Sequence, residues 1–91
     1  MYNKRKIKKE FDHLVGRNIR AFRMMKGMTI EELAEKSDVD YTFISELERG
    51  VSGCSGFTLA EIADGLGVSI TQLTKEAEKM LSDYKKNVNG E

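Results

Sequence analysis

The sequence is poor in the residues that build disulfides and zinc sites. It has no proline, one cysteine, Cys54, and one histidine, His13, among 91 residues. A single cysteine excludes an internal disulfide, and Cys54 with His13 cannot supply the usual set of ligands of a structural zinc site. We therefore expect one domain of modest size in a reducing cytoplasm, with no metal or other cofactor.

Long apolar runs are also missing. The basic residues 4–9 could open a signal peptide, but the polar residues Glu10, Asp12 and His13 follow them, so we reject that interpretation. No apolar run approaches the roughly 20 residues that a membrane-spanning helix needs. We expect no membrane association.

An excess of one charge is absent overall but present locally. The formal net charge is zero, with 15 basic and 15 acidic residues. Residues 1–26 carry nine basic and two acidic residues, a net charge of +7, and residues 27–91 carry six and thirteen, a net charge of −7. Such asymmetry indicates a basic segment that binds nucleic acid, or else a solubilising tail. We expect residues 1–10 to form a mobile basic arm.

Strand-like alternation is absent too, and apolar residues recur at helical spacing instead. From Phe11 they step by three or four positions as far as Met25, and Gly27 closes this first helix. The pattern predicts an all-α fold with five helices. The predicted helices cover roughly 11–26, 30–37, 41–48, 58–66 and 70–86.

Helix starts are marked by capping boxes, in which Ser or Thr is followed three residues later by Glu or Gln. The three boxes are Thr29 with Glu32, Thr58 with Glu61, and Ser69 with Gln72. Asp40 can cap the third helix, and Gly50 can supply its left-handed stop.

The stretch from residue 28 to residue 50 is the most informative part of the chain. The small Ala34 lets the second and third helices approach closely, and Ile44 and Leu47 give the third helix an apolar inner face. Two helices crossing over a turn of about 3–4 residues form a helix-turn-helix, whose second helix lies in the DNA major groove. We therefore expect a DNA-binding protein.

The predicted fifth helix carries an apolar seam. Ile70, Leu73, Ala77, Met80 and Tyr84 step by three and four residues, as in a coiled coil. Either this helix packs along its own domain with a frayed end, or its distal half meets a second copy of the chain. We favour the second interpretation. The predicted dimer contacts are Leu73, Ala77, Met80, Leu81 and Tyr84.

These pieces, in this order and spacing, resemble the Cro/C1-type (Xre-like) helix-turn-helix regulators of bacteria and phages. The resemblance covers about residues 15–73 and rests on three segments, IRAFRMMKGMTIEELAEKS, DYTFISELERG and LAEIADGLGVSITQL. The second segment is similar to restriction–modification controller proteins. The resemblance implies a five-helix lambda-repressor-like domain at 11–74, with its helix-turn-helix at about 30–49, an arm at 1–10 and a C-terminal extension at 75–91.

The resemblance also implies a structural ion pair between Arg23 and Glu48, which would fix the third helix against the first. Three positions depart from the family pattern. Ile30 stands where a glutamine often grips a phosphate, Asp38 where the turn usually has glycine, and Tyr41 where controller-like members often have arginine.

The exposed face of the third helix is expected to read DNA through Tyr41, Thr42, Ser45, Glu46 and Arg49. Its first turn lacks Gln, Asn, Lys and Arg, so bidentate recognition of adenine or guanine is excluded there. Thr42 and Ser45 can bond base edges or phosphate, and Tyr41 can bond phosphate or contact a thymine methyl. Glu46 either accepts from cytosine N4 or is simply a solvated carboxylate.

Phosphate contacts are expected from several other sources, because backbone contacts set much of the affinity for DNA. Main-chain amides at the starts of the second and third helices, including those near Thr29 and Ile30, are one source. Arg20 supplies charge, and Ser52 lies in a loop of small residues. The arm contributes Lys4, Arg5, Lys6, Lys8 and Lys9, which can reach around the duplex.

Catalytic constellations are missing. Cys54 stands among Gly and Ser in a predicted loop, and His13 lies on a predicted helix about forty residues earlier, so no nucleophile–base pair can be recognised. We expect the chain not to be an enzyme. The leading hypothesis is a sequence-specific transcriptional regulator, by default a repressor, that binds a palindromic operator in double-stranded DNA as a homodimer. The alternative is a protein-interaction module of the same fold, such as an antitoxin or a co-regulator, with weak DNA binding.

Overall fold

The computed structural model describes residues 3–88, which form five α-helices and no β-strand. The helices are α1 (Lys4–Met25), α2 (Ile30–Ser37), α3 (Tyr41–Glu48), α4 (Gly56–Leu66) and α5 (Ile70–Val88). The predicted all-α fold of five helices is confirmed. Residues 1–2 of the predicted arm and 89–91 of the predicted tail lie outside the described residues.

Two of the predicted capping boxes are present. The Glu32 amide donates to Thr29 Oγ1 over 3.1 Å, and the Thr29 amide donates to Glu32 Oε1 over 2.9 Å. Ser69 and Gln72 make the same reciprocal pair, at 2.9 and 3.2 Å. Each box satisfies two amides that a helix start would otherwise leave open, so it fixes where the helix begins.

The third predicted box, Thr58 with Glu61, is wrong. Helix α4 begins two residues before Thr58, at Gly56, and its cap is Ser55, whose Oγ accepts from the Thr58 amide over 3.1 Å. Because a serine hydroxyl three residues upstream already satisfies that amide, the helix extends back to the serine.

The predicted mobile arm is wrong for residues 4–10. Helix α1 begins at Lys4, where the Asn3 side chain accepts from the Lys6 amide over 3.1 Å. Ile7 continues the apolar stripe four residues before Phe11, and only 3% of it is exposed. Ile7 and Phe11 line one groove with Leu81 of α5. Burial of Ile7 against these neighbours offsets the entropy lost on ordering a basic segment.

The turn between α2 and α3 depends on Asp38. Its φ of +58° and ψ of +39° lie in the left-handed region, and its amide donates to the carbonyl of Ala34. A short polar side chain tolerates this conformation better than most residues do, although glycine would adopt it more readily. The turn is thus formed with an aspartate where the family usually has glycine.

The core takes at least one fully buried side chain from each helix. Helix α1 packs on α3 and α5, and α2 packs on α3 and α4. The molecule is elongated, about 45 × 21 × 21 Å. The largest fully buried side chains are Ile19, Leu33, Ile44, Ile62, Leu66 and Leu73.

The proximal part of the α5 seam packs within the chain. Leu73 and Ala77 are 0% exposed and belong to the core. Asn18 Nδ2 of α1 donates to the Leu73 carbonyl over 3.2 Å, which holds the two helices together at this level. A side chain without exposed surface cannot contact a second copy, so the dimer contacts predicted for Leu73 and Ala77 are wrong.

Candidate nucleic-acid interface

Helix α3 has a buried face and an exposed polar face. Ile44 and Leu47 lie in the core. Tyr41, Ser45 and Arg49 are spaced four residues apart, so they follow one another along the outer face. Tyr41 is 48% exposed, Arg49 is exposed and Ser45 is half-buried between them. These three residues form the stripe that we call the α3 outer stripe.

Thr42 and Glu46 flank the α3 outer stripe. Thr42 is exposed and Glu46 is half-buried. Both positions leave polar side chains at the surface, and the partly buried Phe43 packs against the core. The outer face of α3 is therefore polar, exposed at its two ends and half-buried in the middle.

The far end of α3 is fixed by the ion pair between Arg23 and Glu48. Arg23 Nε and Nη2 donate to the two Glu48 carboxylate oxygens over 2.7 and 2.9 Å, and Nη1 donates to the Met28 carbonyl over 2.8 Å. The Arg23 side chain is 13% exposed and the Glu48 side chain 5%. The hydrogen bonds to Glu48 raise the pKa of Arg23. Arg23 is thus part of the scaffold that orients α3, and its guanidinium is not free for DNA.

Gly16 is a second fixing point, and the sequence analysis missed it. A side chain at Gly16 would meet the carbonyl group of Leu47, so α1 and the end of α3 touch backbone to backbone. The available signal was a glycine on the apolar stripe of a helix interior, where it is costly unless another backbone needs the space.

The predicted phosphate contacts at the start of α2 are only partly available. The Thr29 amide donates to Glu32, so the structure contradicts the prediction that it is free for phosphate. The amide of Ile30 lies in the first turn, where a helix offers no internal acceptor. Glu31 and Glu32 place two carboxylates in that same turn, and both oppose an anion.

The start of α3 is similarly occupied. Asp40 Oδ2 accepts from the amides of Thr42 and Phe43 over 3.0 and 3.3 Å. Of the amides in this first turn, that of Tyr41 is the one the Asp40 side chain does not bind. Ser52 lies half-buried in a groove beside Asp12 and Gly53, where a carboxylate is close by.

The basic residues of α1 point in different directions. Arg20 is exposed, and its Nε lies 3.5 Å from Met24 Sδ. Lys6 lines a groove with Arg49, at the end of the α3 outer stripe. Lys4 lines the separate groove that holds Leu81. Arg5 lies beside Lys8 and Lys9. The structure therefore brings Lys6 close to α3 and places Lys4 elsewhere.

Cys54 and the acidic residues do not form a reactive centre. Burial raises the pKa of the Cys54 thiol, and the charge of Asp12 adds to this effect, so the nucleophilic thiolate is disfavoured. Among residues 3–88, no group of three or more His, Cys, Asp or Glu side chains could hold a metal ion. No helix within the same range is long and apolar enough to cross a membrane.

An all-α domain with a tight helix-turn-helix, whose second helix is rigidly held and polar on its outer face, defines a DNA-binding protein of the helix-turn-helix class. Residues 19–73 match the helix-turn-helix family HTH_3. The chain belongs to this family of transcriptional regulators, and the resemblance to the Cro/C1 (Xre-like) type is confirmed.

Individual relatives agree with this assignment. The uncharacterised helix-turn-helix-type transcriptional regulator y4dJ from Sinorhizobium fredii (strain NBRC 101917 / NGR234) is 38% identical over 66 residues, which cover 72% of this chain and 86% of that protein. The chain is also similar to solved structures. The clp gene regulator ClgR from Corynebacterium glutamicum has a TM-score of 0.70 at 36% identity, covering 87% of this chain and 86% of that one.

A restriction–modification controller protein is also among the structural neighbours. C.AhdI from Aeromonas hydrophila has a TM-score of 0.66 at 27% identity, covering 68% of this chain and 94% of that one. The similarity of the third-helix segment to controller proteins thus has a structural counterpart. The relatives are regulators and not enzymes, and this kinship, together with the family match, identifies the chain as a non-enzymatic regulator.

Proposed function

We propose that this chain is a cytoplasmic transcriptional repressor that binds a palindromic DNA operator as a homodimer. The observation that carries the proposal is the α3 outer stripe, which reaches the surface at Tyr41 and Arg49 while a buried ion pair holds its helix in place. A rigid helix with an exposed polar face can enter the major groove without an entropic cost of ordering. Repression would follow from blocking RNA polymerase at the occupied site.

Recognition of bases would come from few side chains. Thr42 and Ser45 would bond base edges or phosphate, and Tyr41 would contact a thymine methyl or a phosphate. Glu46 would accept from cytosine N4 if it contacts DNA at all. None of these side chains makes the bidentate contacts that carry most direct readout, so sequence-dependent DNA shape would contribute.

Phosphate contacts would position the protein on DNA. The amides of Ile30 and Tyr41, the Thr29 hydroxyl and the charged Arg20 and Arg49 are the main proposed contacts, because each lies at the surface near an exposed helix end or on α1. Ser52, Lys4, Arg5 and Lys6 complete the proposed set.

Dimerisation would compensate for weak recognition by one copy. Two α3 helices placed about 34 Å apart would read two half-sites and add their binding energies. Met80, Leu81 and Tyr84 remain half-buried on the distal part of α5, beyond the core. Their residual apolar surface supports a contact with a second copy there.

Selection of bound duplexes from a random pool by the full chain, at fixed and stated salt, tests this function. We expect an enriched sequence with two-fold symmetry and half-sites spaced by about one helical turn. Enrichment of an asymmetric sequence would contradict the homodimer, and absence of any enrichment would contradict sequence-specific binding.

A protein-interaction module is the second candidate function. It is favoured by the exposed carboxylates of Glu31 and Glu32 at the start of α2 and by the net charge of −7 over residues 27–91. These charges repel a phosphate backbone and suit a basic protein surface. The selection experiment separates the two candidates, since an interaction module would give no enriched sequence.

A further inference from the structure

A groove with a basic rim lies between the N-terminal half of α1 and the end of α3. Lys6, Lys9 and His13 line its α1 side, and Arg49 and Val51 line the other. Glu10, Leu14 and Gly50 complete its lining. We call this feature the α1–α3 groove.

The α1–α3 groove continues the α3 outer stripe. Arg49 belongs to both, because it stands four residues after Ser45 and eight after Tyr41. A DNA duplex that receives Tyr41 and Ser45 in its major groove would therefore pass its backbone along Arg49 and into the rim of the α1–α3 groove.

Helical spacing places the lysines of α1 in different grooves. Lys6 and Lys9, three residues apart, share the α1–α3 groove. Lys4 and Lys8, four residues apart, share a different groove with Leu81. Lys8 Nζ is also paired with an Asp12 carboxylate oxygen at 2.7 Å, whereas Lys6 and Lys9 have no ion pair among the described residues. Lys9 also borders a third groove with Arg5 and Lys8, but Lys6 and Lys9 are the two lysines of α1 that line the groove beside Arg49.

We propose that the α1–α3 groove is a phosphate-binding site for the DNA backbone, in which Lys6 and Lys9 act with Arg49. Three cations face one carboxylate, that of Glu10, so the site carries a net positive charge. The apolar side chains of Leu14 and Val51 offer a surface for deoxyribose between the phosphates. Lys6 and Lys9 precede residues 19–73, so the site adds to the part of the chain that matches the family. The inference rests on the proposed function, because it needs DNA to lie against α3.

The salt dependence of binding tests this site, with charge-matched variants of the full chain. The test variant is Lys6→Gln with Lys9→Gln, and the control is Lys75→Gln with Lys79→Gln, which removes the same charge from a groove on α5 where no DNA contact is proposed. The probe is a labelled duplex of about 21 base pairs, roughly two helical turns. Binding is titrated between about 50 and 200 mM salt, where phosphate contacts release counterions.

The slope of log K against log salt is negative, and each phosphate contact contributes about −0.9 to it. We therefore expect the slope of the Lys6/Lys9 variant to be less negative than that of the wild type by about 1.8. The Lys75/Lys79 variant should change the slope by less than half as much. Equal changes in the two variants, or an unchanged slope in the Lys6/Lys9 variant, would overturn the site while leaving the proposed function intact. A wild-type chain that bound neither this duplex nor any selected sequence would overturn both. Circular dichroism of each variant verifies that α1 remains helical.

Discussion

The α-carbon of Gly16 in α1 lies against the main-chain carbonyl of Leu47 in α3, with no space for a side chain between them. This contact and the Arg23–Glu48 pair hold the same helix from two sides of its last turn. The orientation of the α3 outer stripe therefore depends on the backbone of α1 as well as on charge.

Replacing Gly16 by alanine should destabilise the fold. The added methyl would meet a backbone carbonyl that cannot rotate away, and such overpacking costs about 1–3 kcal/mol, more than the gain in helix propensity of about 1 kcal/mol. The free energy of unfolding, from urea denaturation followed by circular dichroism, measures the effect. Gly56→Ala is the matched control, because nothing lies within 4 Å of an added methyl there. A Gly16→Ala variant as stable as the control would show that α1 and α3 can move apart freely.

Removing Glu48 should lower the stability of the fold far more than removing an exposed carboxylate. Glu48→Ala leaves the Arg23 guanidinium buried without its partner, which costs about 3–5 kcal/mol. The control is Glu76→Ala, which breaks a pair with Arg17 whose side chains are 52% and 57% exposed, and such pairs contribute about 0–1 kcal/mol. Midpoints of thermal unfolding compare the two variants.

A double variant distinguishes charge from packing at this pair. Arg23→Met with Glu48→Leu removes both charges, so it should recover part of the stability that Glu48→Ala loses. Recovery will be incomplete because Arg23 also donates to the Met28 carbonyl, which the double variant leaves without this donor. A double variant less stable than Glu48→Ala would contradict the assignment of the cost to an unpaired buried charge.

Substitution of Met80 and Tyr84 by glutamate should dissociate the proposed dimer and lower the affinity for a selected operator. Charges on the distal part of α5 would oppose burial against a second copy. Sedimentation velocity measures the oligomeric state, and far-ultraviolet circular dichroism checks that helicity is kept.

A matched variant tests whether distal α5 is the relevant surface. Phe57 is 76% exposed at the start of α4 and is another large apolar side chain that could contact a partner. Phe57→Glu should leave the dimer intact. The opposite result, with dissociation by Phe57→Glu alone, would move the interface from α5 to α4.

Stability should fall at acid pH partly through Glu32. The hydrogen bond from the Thr29 main-chain amide, followed by the bond with its hydroxyl, lowers the pKa of Glu32. Because the folded pKa lies below the unfolded one, the stabilisation is present above the unfolded value of about 4.3 and is lost as the pH falls through the folded value. Glu32→Gln keeps an acceptor for the amide but cannot titrate, so its urea midpoint should depend less on pH in this range.

The neighbouring residue supplies the control for this pH dependence. Glu31→Gln removes a carboxylate from the same turn and leaves the capping box intact. It should keep the Glu32 contribution to acid sensitivity. If Glu31→Gln and Glu32→Gln flattened the pH profile equally, the cause would be the total charge of the turn and not the hydrogen-bonded cap.

Local chemistry could be predicted from the sequence, because a cap needs only residues three or four positions apart. Thr29 with Glu32 and Asp40 before α3 are of this kind, and both are found. Ser55 shows the limit, since Thr58 with Glu61 satisfies the capping-box pattern, yet the cap is Ser55, which has no Glu or Gln three residues later.

Features that depend on distant residues were not predictable in this way. Ile7 resembles an isolated apolar residue in a basic arm until Leu81 is placed beside it. The α5 seam indicates an apolar stripe but not whether α1 or a second copy covers Leu73. Gly16 gives no sign of the carbonyl that approaches it. At the candidate site, the helical period of the apolar residues was enough to predict which residues lie on the outer face of α3. The contacts of those residues with DNA remain predictions.

Helix α1 is an unbroken rod about 33 Å long, at about 1.5 Å per residue. It touches the distal part of α5 near one end and locks the last turn of α3 towards the other. Any partner bound at the distal part of α5 would therefore lie against the same helix that holds the last turn of α3 in place.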